Sequence, residues 1–441
     1  MSVKYVSIII FLFAGVFVSA QISTDPALPV ASKKVVITFD SSKESRLGFY
    51  TSDLYAHTGV LIDGKTDWQH VIGNWGDNTV QPKLTHSGNG IYQFEISPDI
   101  KQFYSVAAGE KVIKIAFVLR SSDGKKQTND LFVNVYTEGL AIEITQPASN
   151  SMVARNKSIT ISAISSENAT QKLFINETLL TQNTGTSISA NYTFTESGSY
   201  NIIGEAIAGD KSVRDTNQIF VRGDVETLPK PAAYRKGINY PSATSAALVL
   251  WAPYKEFVYV LGDFNNWQPD NQYLMKKDGD YFWLEINGLE TRKEYAFQYF
   301  IDGKTKIADP YTEKILDPWN DNNISAETYP DLIQYPTGKT EGIVSVLQTG
   351  QAQFNWESTD FQVPEKQKLV IYELLVRDFM AEHTYKSVRE KLDYLEDLRI
   401  NVLELMPVNE FEGNSSWGYN PSFYFAPDKY YGPKEELKKL I

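Results

Sequence analysis

The hydrophobic pattern changes near residue 365, and this change limits the folds that the chain can adopt. Up to residue 330, short segments alternate apolar and polar side chains with a period of two, which is typical of antiparallel sheets with one exposed face. From residue 365, mostly apolar runs at 369–376 and 400–406 enclose a helical pattern, as expected for parallel strands that are covered on both faces. The sequence therefore predicts β-sandwich modules followed by a strand–helix–strand–loop–helix arrangement with a parallel sheet.

The helical pattern between the two apolar runs has a clear start. Thr384 is a suitable N-cap residue. The apolar residues that follow it share one helical face: Val388, Leu392, Leu395 and Leu398. A second helix should begin at Pro433, because proline suits the first helical position.

The first 20 residues have the pattern of a secretory signal peptide. Lys4 supplies a positive charge, an apolar run covers 8–18, and Val18-Ser19-Ala20 has the small residues of a cleavage site. A transmembrane anchor is the alternative, but such an anchor needs about 20 apolar residues. We therefore expect a signal peptide at 1–20. The mature protein should have no membrane span and should be secreted or lie in the cell envelope, in the periplasm or outside the cell.

The composition excludes several classes of function. The 441 residues include no cysteine, which excludes disulfides, thiolate zinc sites and a cysteine nucleophile. Only four histidines occur, and no two have the spacing of helical metal ligands. The formal net charge of −12 argues against nucleic acid as a partner, because phosphates are bound by basic surfaces. We expect no metal site and no cofactor within this chain.

The β-rich part of the chain divides into three predicted modules that precede the parallel arrangement. In chain order the predicted modules are a β-sandwich at 27–138, an immunoglobulin-like spacer at 140–223, an E-set-like sandwich at 232–330 and the parallel arrangement at 365–441.

In the first module, Trp68 and Trp75 lie in a polar, glycine-rich stretch between strands. An indole ring can pack on the apolar C–H face of a sugar, so both are candidates for a glucan-binding surface. The alternative is that both belong to the core.

The third module contains a longer motif. Gly262-Asp263-Phe264-Asn265-Asn266-Trp267 resembles the signature of the β-sandwich that precedes many branching and debranching enzymes, and Asp309-Pro310-Tyr311 resembles part of its exit segment. In some relatives this module binds glycogen or starch, and in others it only packs on the catalytic barrel. The resemblance therefore makes Trp267 a structural corner or a candidate glucan contact. The acid and amide run at 317–323 lacks the ligand spacing of a known calcium loop, which favours a solvated turn.

The C-terminal segment carries the most specific resemblance. The run 371–379 and the string at 404–433, which includes Trp417-Gly418-Tyr419-Asn420-Pro421, resemble the first two βα units of glycoside hydrolase family 13, the α-amylase superfamily. Branching, pullulanase and isoamylase members are the most similar. The resemblance implies the start of a (β/α)8 TIM barrel with its site at the carboxyl ends of the strands. It also implies that Tyr419 stacks on the sugar in the cleavage subsite, with Trp417 and Asn420 as neighbours.

The same resemblance implies where the chemistry lies. In the family, an Asp nucleophile, a Glu acid/base and a second Asp come from strands four, five and seven of a barrel of about 250 residues. We therefore expect an N-terminal fragment whose catalytic acids follow Ile441, and calcium is an option for the full-length protein. We interpret Glu373 and Glu404 as structural residues of buried strands, since the family places neither in catalysis. Arg399 stands where relatives usually have glycine, a position that favours left-handed backbone.

The expected fold class is multidomain: three β-sandwich modules of immunoglobulin-like or E-set type, followed by the truncated start of a (β/α)8 TIM barrel. The expected function is that of an exported glycoside hydrolase that acts on α-glucans of the starch, glycogen or pullulan type by the retaining mechanism. The expected partner is an α-glucan polysaccharide. One alternative is a non-catalytic α-glucan-binding protein with a degenerate barrel. A further alternative is that the N-terminal modules bind no glucan.

Overall fold

The computed structural model describes residues 21–357 and 362–441. The predicted signal peptide at 1–20 lies outside the described residues. The chain forms two compact units. Among the described residues, the first unit consists of 21–149, 159–192 and 201–218, and the second of 150–158, 193–200, 219–357 and 362–441. The predicted boundaries of the four modules stay predictions.

The first unit begins with two antiparallel sheets. The elements in this region are β1 (Ile22–Asp25), β2 (Val35–Asp40), β3 (Leu54–Ile62), β4 (Thr85–Gly88), β5 (Ile91–Ile96), α1 (Ile100–Phe103), β6 (Val112–Ser121) and β7 (Leu131–Asn134). One sheet has the order β1-β2-β5-β4 and the other β3-β6-β7. Alternate residues of both sheets, including Phe39, Phe94 and Phe117, share one core. The period-two pattern therefore builds a sandwich-like pair of sheets, as predicted.

Six strands follow, and the last four of them, with 11 to 18 residues, are longer than the strands before them. They are β8 (Ile142–Gln146), β9 (Met152–Ala154), β10 (Ser158–Ile175), β11 (Thr178–Thr193), β12 (Gly198–Ala208) and β13 (Lys211–Arg222). Strand β10 pairs antiparallel with β12, and β8 pairs antiparallel with β10. Strand β9 pairs in parallel with the end of β13, with Met152 opposite Phe220.

The second unit contains another pair of sheets. Its strands here are β14 (Gly237–Ser242), β15 (Ser245–Trp251), β16 (Val258–Gly262), β17 (Lys276–Asp278), β18 (Tyr281–Asn287), β19 (Glu294–Ile301), β20 (Thr305–Ile307), β21 (Ile315–Leu316) and β22 (Val344–Gln348). One sheet has the order β14-β15-β18-β17 and the other β16-β19-β22-β21, with β20 added to β19. Leu248, Phe282 and Phe297 lie in the core that the two sheets share.

The last part of the second unit has the predicted parallel arrangement. Its elements are β23 (Ile371–Leu374), α2 (Val376–Phe379), α3 (Tyr385–Arg389), α4 (Leu392–Asp397), β24 (Val402–Leu405), β25 (Asn409–Phe411), β26 (Pro421–Pro427) and α5 (Lys434–Leu440). Strands β23 and β24 are parallel, with Ile371 opposite Val402. Thr384 caps α3, because its side chain accepts a hydrogen bond from the Ser387 amide. The helix that was expected to run from Thr384 is two short helices, and α5 begins one residue after Pro433.

Two expectations for this segment are wrong in the described structure. Strand β23 is not covered on both sides, since Ile371 is 55% exposed. The reason is that β23 and β24 form a sheet of only two strands within the part of the chain that the structure describes. Leu398 does not join the apolar helix face and is 51% exposed, because α4 ends at Asp397. Residues Leu374, Val376 and Val388 do pack together in a small core. Whether these elements begin a barrel stays a prediction.

Within residues 21–357 and 362–441, no helix has the length and apolar character needed to cross a membrane.

Candidate functional site

The loop between β25 and β26 presents two aromatic side chains to solvent. Trp417 is 63% exposed and Tyr419 is 66% exposed. Gly418 between them has φ of +88°, and a Cβ atom at this position would overlap the carbonyl oxygen of Pro407. Pro407 comes two residues after the end of β24. The loop, residues 412–420, is therefore held against the carboxyl end of a parallel strand, which is where ligands bind in sheets of this type. We call it the aromatic loop.

Polar contacts fix the shape of the aromatic loop. The amide of Gly418 donates a hydrogen bond to Oγ of Ser416 at 3.0 Å, and the Ser416 hydroxyl donates to Oδ1 of Asn420. Asn420 therefore stabilises the loop through a hydrogen bond inside the loop. Nη1 of Arg377 donates to the carbonyl oxygen of Ser416 at 3.3 Å, and Nε of Arg377 pairs with Asp378 at 2.7 Å.

Arg377 was not predicted as a site residue. It comes three residues after the end of β23, so its position at the carboxyl end of a strand is the sequence signal that could have identified it. The roles predicted for Tyr419, Trp417 and Asn420 stay predictions.

A buried ionic cluster lies beside this loop. Nζ of Lys429 is 2.5 Å from Oε1 of Glu410 and 3.3 Å from Oδ1 of Asp321. Asp428 is also buried and accepts backbone hydrogen bonds from Tyr430 and Phe411. Burial raises the pKa of Glu410 to about 8 and that of Asp428 to about 6, although Lys429 opposes both shifts. The ammonium group thus pairs with two carboxyl groups, those of Glu410 and Asp321, and its charge also acts on Asp428. No local pattern predicts the cluster, since Asp321 and Glu410 lie far in sequence from the adjacent pair Asp428 and Lys429.

The acidic run at 317–323 is only in part the solvated turn that the sequence favoured, since Asn322 and Asn323 are exposed but the carboxyl groups have protein partners. Asp317 is buried and accepts hydrogen bonds from the amide of Trp319 and the side chain of Asn320. Asp321 accepts from the amide of Asp317 and contacts Lys429. The carboxylates are thus engaged by N–H donors and an ammonium group, which do not fit a cation in the same place. The described residues include no group of three or more His, Cys, Asp or Glu that could hold a metal ion. Calcium binding by the full-length protein stays a prediction.

Glu373 and Glu404 are neighbours across the parallel sheet. They are register partners in β23 and β24, and both are exposed. The expectation that they lie in buried strands is therefore wrong for the described residues, because one face of this two-stranded sheet is open.

Trp267 is not on a surface, and its prediction as a candidate glucan contact is wrong. The side chain is 2% exposed, and its Nε1 donates a hydrogen bond to Oδ1 of Asp263 at 3.0 Å. The turn that positions it is closed by Asn265, whose side chain accepts from the amide of Gly262 and donates to the carbonyl of Val260. A left-handed backbone at Trp267, with φ of +61°, turns the indole into the core. The motif is therefore a structural corner.

Trp68 and Trp75 are both accessible in the first unit. Trp75 is 53% exposed and Trp68 is partly exposed. Both line an open groove of about 560 Å³ on the sheet β3-β6-β7, together with His57 of β3. The alternative that both tryptophans belong to the core does not apply to Trp75. His57 was not predicted as a site residue, and its lone position on a half-exposed strand gave no specific signal.

Comparison with known families identifies one module in the second unit. The family carbohydrate-binding module 48, described as the isoamylase N-terminal domain, matches residues 237–320. These residues include the GDFNNW corner and most of the second pair of sheets. This part of the chain is therefore similar to a carbohydrate-binding module.

Curated proteins match over a longer part of the chain. The malto-oligosyltrehalose trehalohydrolase of Saccharolobus solfataricus is 27% identical over 193 residues, which are 44% of this chain and 29% of that protein. The 1,4-alpha-glucan branching enzyme GlgB of Pseudoalteromonas atlantica is 28% identical over 219 residues, which are 46% of this chain and 27% of the enzyme. A solved structure, pullulanase from Paenibacillus barengoltzii in complex with maltohexaose and alpha-cyclodextrin, is 18% identical with a TM-score of 0.36, covering 48% of this chain and 36% of that one.

The family match and the curated relatives confirm the resemblance to the N-terminal region of glycoside hydrolase family 13, the α-amylase superfamily. The chain spans less than a third of the length of the two curated relatives.

Proposed function

We propose that this protein is an exported glycoside hydrolase that acts on α-glucans of the starch, glycogen or pullulan type. The names of the curated relatives support an α-glucan substrate. The match to carbohydrate-binding module 48 supports a polysaccharide partner. The single observation that carries the proposal is the position of Tyr419, an exposed ring on a braced loop at the carboxyl end of β24.

The aromatic loop has the chemistry that a glucose unit needs. The phenol ring of Tyr419 offers an apolar face to the C–H face of a pyranose, and its hydroxyl can bond to a sugar hydroxyl. Arg377 and Asn420 hold the loop through Ser416, so the ring is positioned before the sugar arrives. A preorganised ring loses less entropy on binding than a mobile one.

The reaction in this proposal is retaining hydrolysis. A carboxylate attacks the anomeric carbon while a carboxylic acid protonates the leaving oxygen, and water then resolves the glycosyl–enzyme intermediate. We assign neither role to a described carboxyl group. Export through the predicted signal peptide is part of the same proposal.

Turnover tests the proposed activity. The protein expressed from its complete gene should release reducing sugar from starch, glycogen or pullulan, and proton NMR should show the α-anomer as the first product. Glucan binding without turnover would instead favour a non-catalytic α-glucan-binding protein.

Binding tests the proposed site. Calorimetric titration with maltoheptaose should show at least tenfold weaker binding for Tyr419→Ala, since stacking on an aromatic ring is lost. Tyr254→Ala is the matched control, because Tyr254 is 98% exposed on a turn elsewhere in the same unit. Equal affinity in the two variants would remove Tyr419 from the site.

A further inference from the structure

The groove on the first unit is lined by aromatic side chains that pack against one another. His57 on β3 lies opposite Val118 on β6, and both point away from the core that Ala56 and Leu119 face. The ring of Trp75 stands edge-on to His57 with centroids 4.9 Å apart, and the ring of Trp68 stacks near it at 6.0 Å. The volume of about 560 Å³ lies within the range of ligand-binding clefts, about 300–1,000 Å³. We call this feature the tryptophan groove.

A buried arginine holds Trp75 in place. Cζ of Arg120 lies 4.9 Å from the centre of the Trp75 ring, and Arg120 is 7% exposed. Gly76 and Gly124 let two turns approach the guanidinium, and a Cβ atom at Gly124 would lie only 3.1 Å from Nη2. Cation–π attraction is stronger when the pair is removed from water. Arg120 therefore packs on one face of the Trp75 indole, while about half of the Trp75 side chain stays exposed to solvent.

The guanidinium has unused hydrogen-bonding capacity. Nε and Nη1 of Arg120 are buried and have no hydrogen-bond partner among the residues that the structure describes. Buried donors are normally satisfied by protein or by a bound group. The unsatisfied donors belong to the guanidinium group that lies over the Trp75 ring.

The protonation of His57 is set by its neighbour Gln81. Nε2 of Gln81 donates to the carbonyl oxygen of Asn74 at 2.6 Å, which fixes the orientation of the amide. The same nitrogen lies 2.9 Å from Nδ1 of His57, so Nδ1 is the acceptor. Burial, and then the charge of Arg120, lower the pKa of His57. The neutral ring therefore carries its proton on Nε2, which leaves an N–H donor for a ligand hydroxyl.

We propose that the tryptophan groove is a second carbohydrate-binding site that holds a segment of α-glucan apart from the aromatic loop. Trp75 and Trp68 supply apolar faces for sugar rings, and His57, Asn129 and Asp130 supply polar groups at the rim. Rings with a few placed polar groups are the chemistry that recognises a neutral sugar chain. The choice of α-glucan rests on the proposed function, whereas the site itself rests on the groove.

Affinity electrophoresis of the chain in gels that contain amylopectin tests this proposal. Trp75→Ala and Trp68→Ala should each weaken retention at least tenfold, and Trp75→Phe should retain most of it because a ring remains. Trp356→Ala, which removes an equally exposed indole from the second unit, should migrate as the unchanged chain does. Circular dichroism should show that all variants are folded.

Two results would overturn the proposal. If the two groove variants are retained as strongly as the unchanged chain, the tryptophan groove holds no glucan. If the groove variants lose binding to cellopentaose while amylopectin retention is unaffected, the site binds a β-glucan and the assigned sugar class is wrong. Neither result bears on Tyr419, because titration with maltoheptaose in a chain that also carries Trp68→Ala and Trp75→Ala judges the proposed function separately.

Discussion

The ammonium group of Lys429 lies 2.5 Å from Oε1 of Glu410, and both side chains are at most 5% exposed. Asp321 and Asp428 complete a buried cluster with one cation and three carboxyl groups. Burying such groups is unfavourable unless each charge is paired. The cluster connects the acid and amide run at 317–323 with the hairpin of β25 and β26, so it links the aromatic loop to the rest of its unit.

Removal of Lys429 should be strongly destabilising. In Lys429→Met the three carboxyl groups lose their common cation, and such a loss costs about 3–5 kcal/mol in the free energy of unfolding. Urea denaturation followed by tryptophan fluorescence measures this difference. The control is Lys386→Met, since Lys386 is mostly exposed and only pairs with Glu390 at 3.9 Å. A surface ion pair contributes at most about 1 kcal/mol. If Lys429→Met loses less than this in the free energy of unfolding, the cluster is not buried in solution.

Glu410 should make stability depend on pH. Burial raises its pKa from the ordinary 4.5 to about 8, so the folded state holds a proton that the unfolded state releases. This stabilising contribution is complete below pH 4.5 and is lost as the pH rises through 8. Between pH 4.5 and pH 8 the free energy of unfolding should therefore fall less in Glu410→Gln than in the unchanged chain. Glu412→Gln, in the exposed part of the same hairpin, should keep the pH profile of the unchanged chain. Parallel profiles for Glu410→Gln and the unchanged chain would contradict the shift.

Gly418 should control the position of Tyr419. Gly418→Ala places a methyl group against the Pro407 carbonyl, so the loop must move and maltoheptaose binding should weaken about as much as in Tyr419→Ala. Gly413→Ala is a matched control, because Gly413 also has positive φ (+78°) but its nearest neighbour, Oδ1 of Asn320, is 4.0 Å from the added atom. Calorimetric titration distinguishes the two variants. The same affinity in both would mean that the close approach to Pro407 does not position the ring.

Arg399→Gly should stabilise the chain. Arg399 has φ of +65°, as the departure from glycine suggested. Its amide bonds to the carbonyl of Glu396, and the next amide bonds to that of Leu395, which together form a Schellman C-cap after α4. Left-handed backbone costs a non-glycine residue about 1 kcal/mol. Thermal unfolding should therefore show a gain of up to about 1 kcal/mol for Arg399→Gly and no gain for Arg399→Ala, which has the same backbone restriction.

The features that could be predicted depend on near neighbours in the chain. The alternation in β5 places Tyr92, Phe94 and Ile96 in the core because side chains of a strand alternate between its faces. The cap at Thr384 depends on Ser387, three residues away. Corners such as that at Asn265 close through hydrogen bonds over a few residues. These parts of the fold follow from local geometry.

Other features depend on contacts between distant segments, and these could not be predicted. Gln81 sets the proton of His57 across 24 residues, and Lys429 meets Asp321 across more than 100. The exposure of a tryptophan also depends on what packs around it, so Trp75 and Trp267 have opposite surroundings although both lie in glycine- and asparagine-containing turns. The apolar run of β23 predicts a buried strand, but Ile371 is exposed. Whether a strand is buried depends on which other elements pack against it, and the tertiary structure decides that.

The sequence by itself determined the alternation of the strands, the change of pattern near residue 365, the turn residues and the family resemblance, since these are properties of adjacent residues and short motifs. Only the tertiary structure decided which aromatic rings face solvent, which carboxyl groups share an ammonium, and which histidine nitrogen carries the proton. The physical reason is that exposure, charge pairing and protonation depend on the distances between atoms that chain folding brings together.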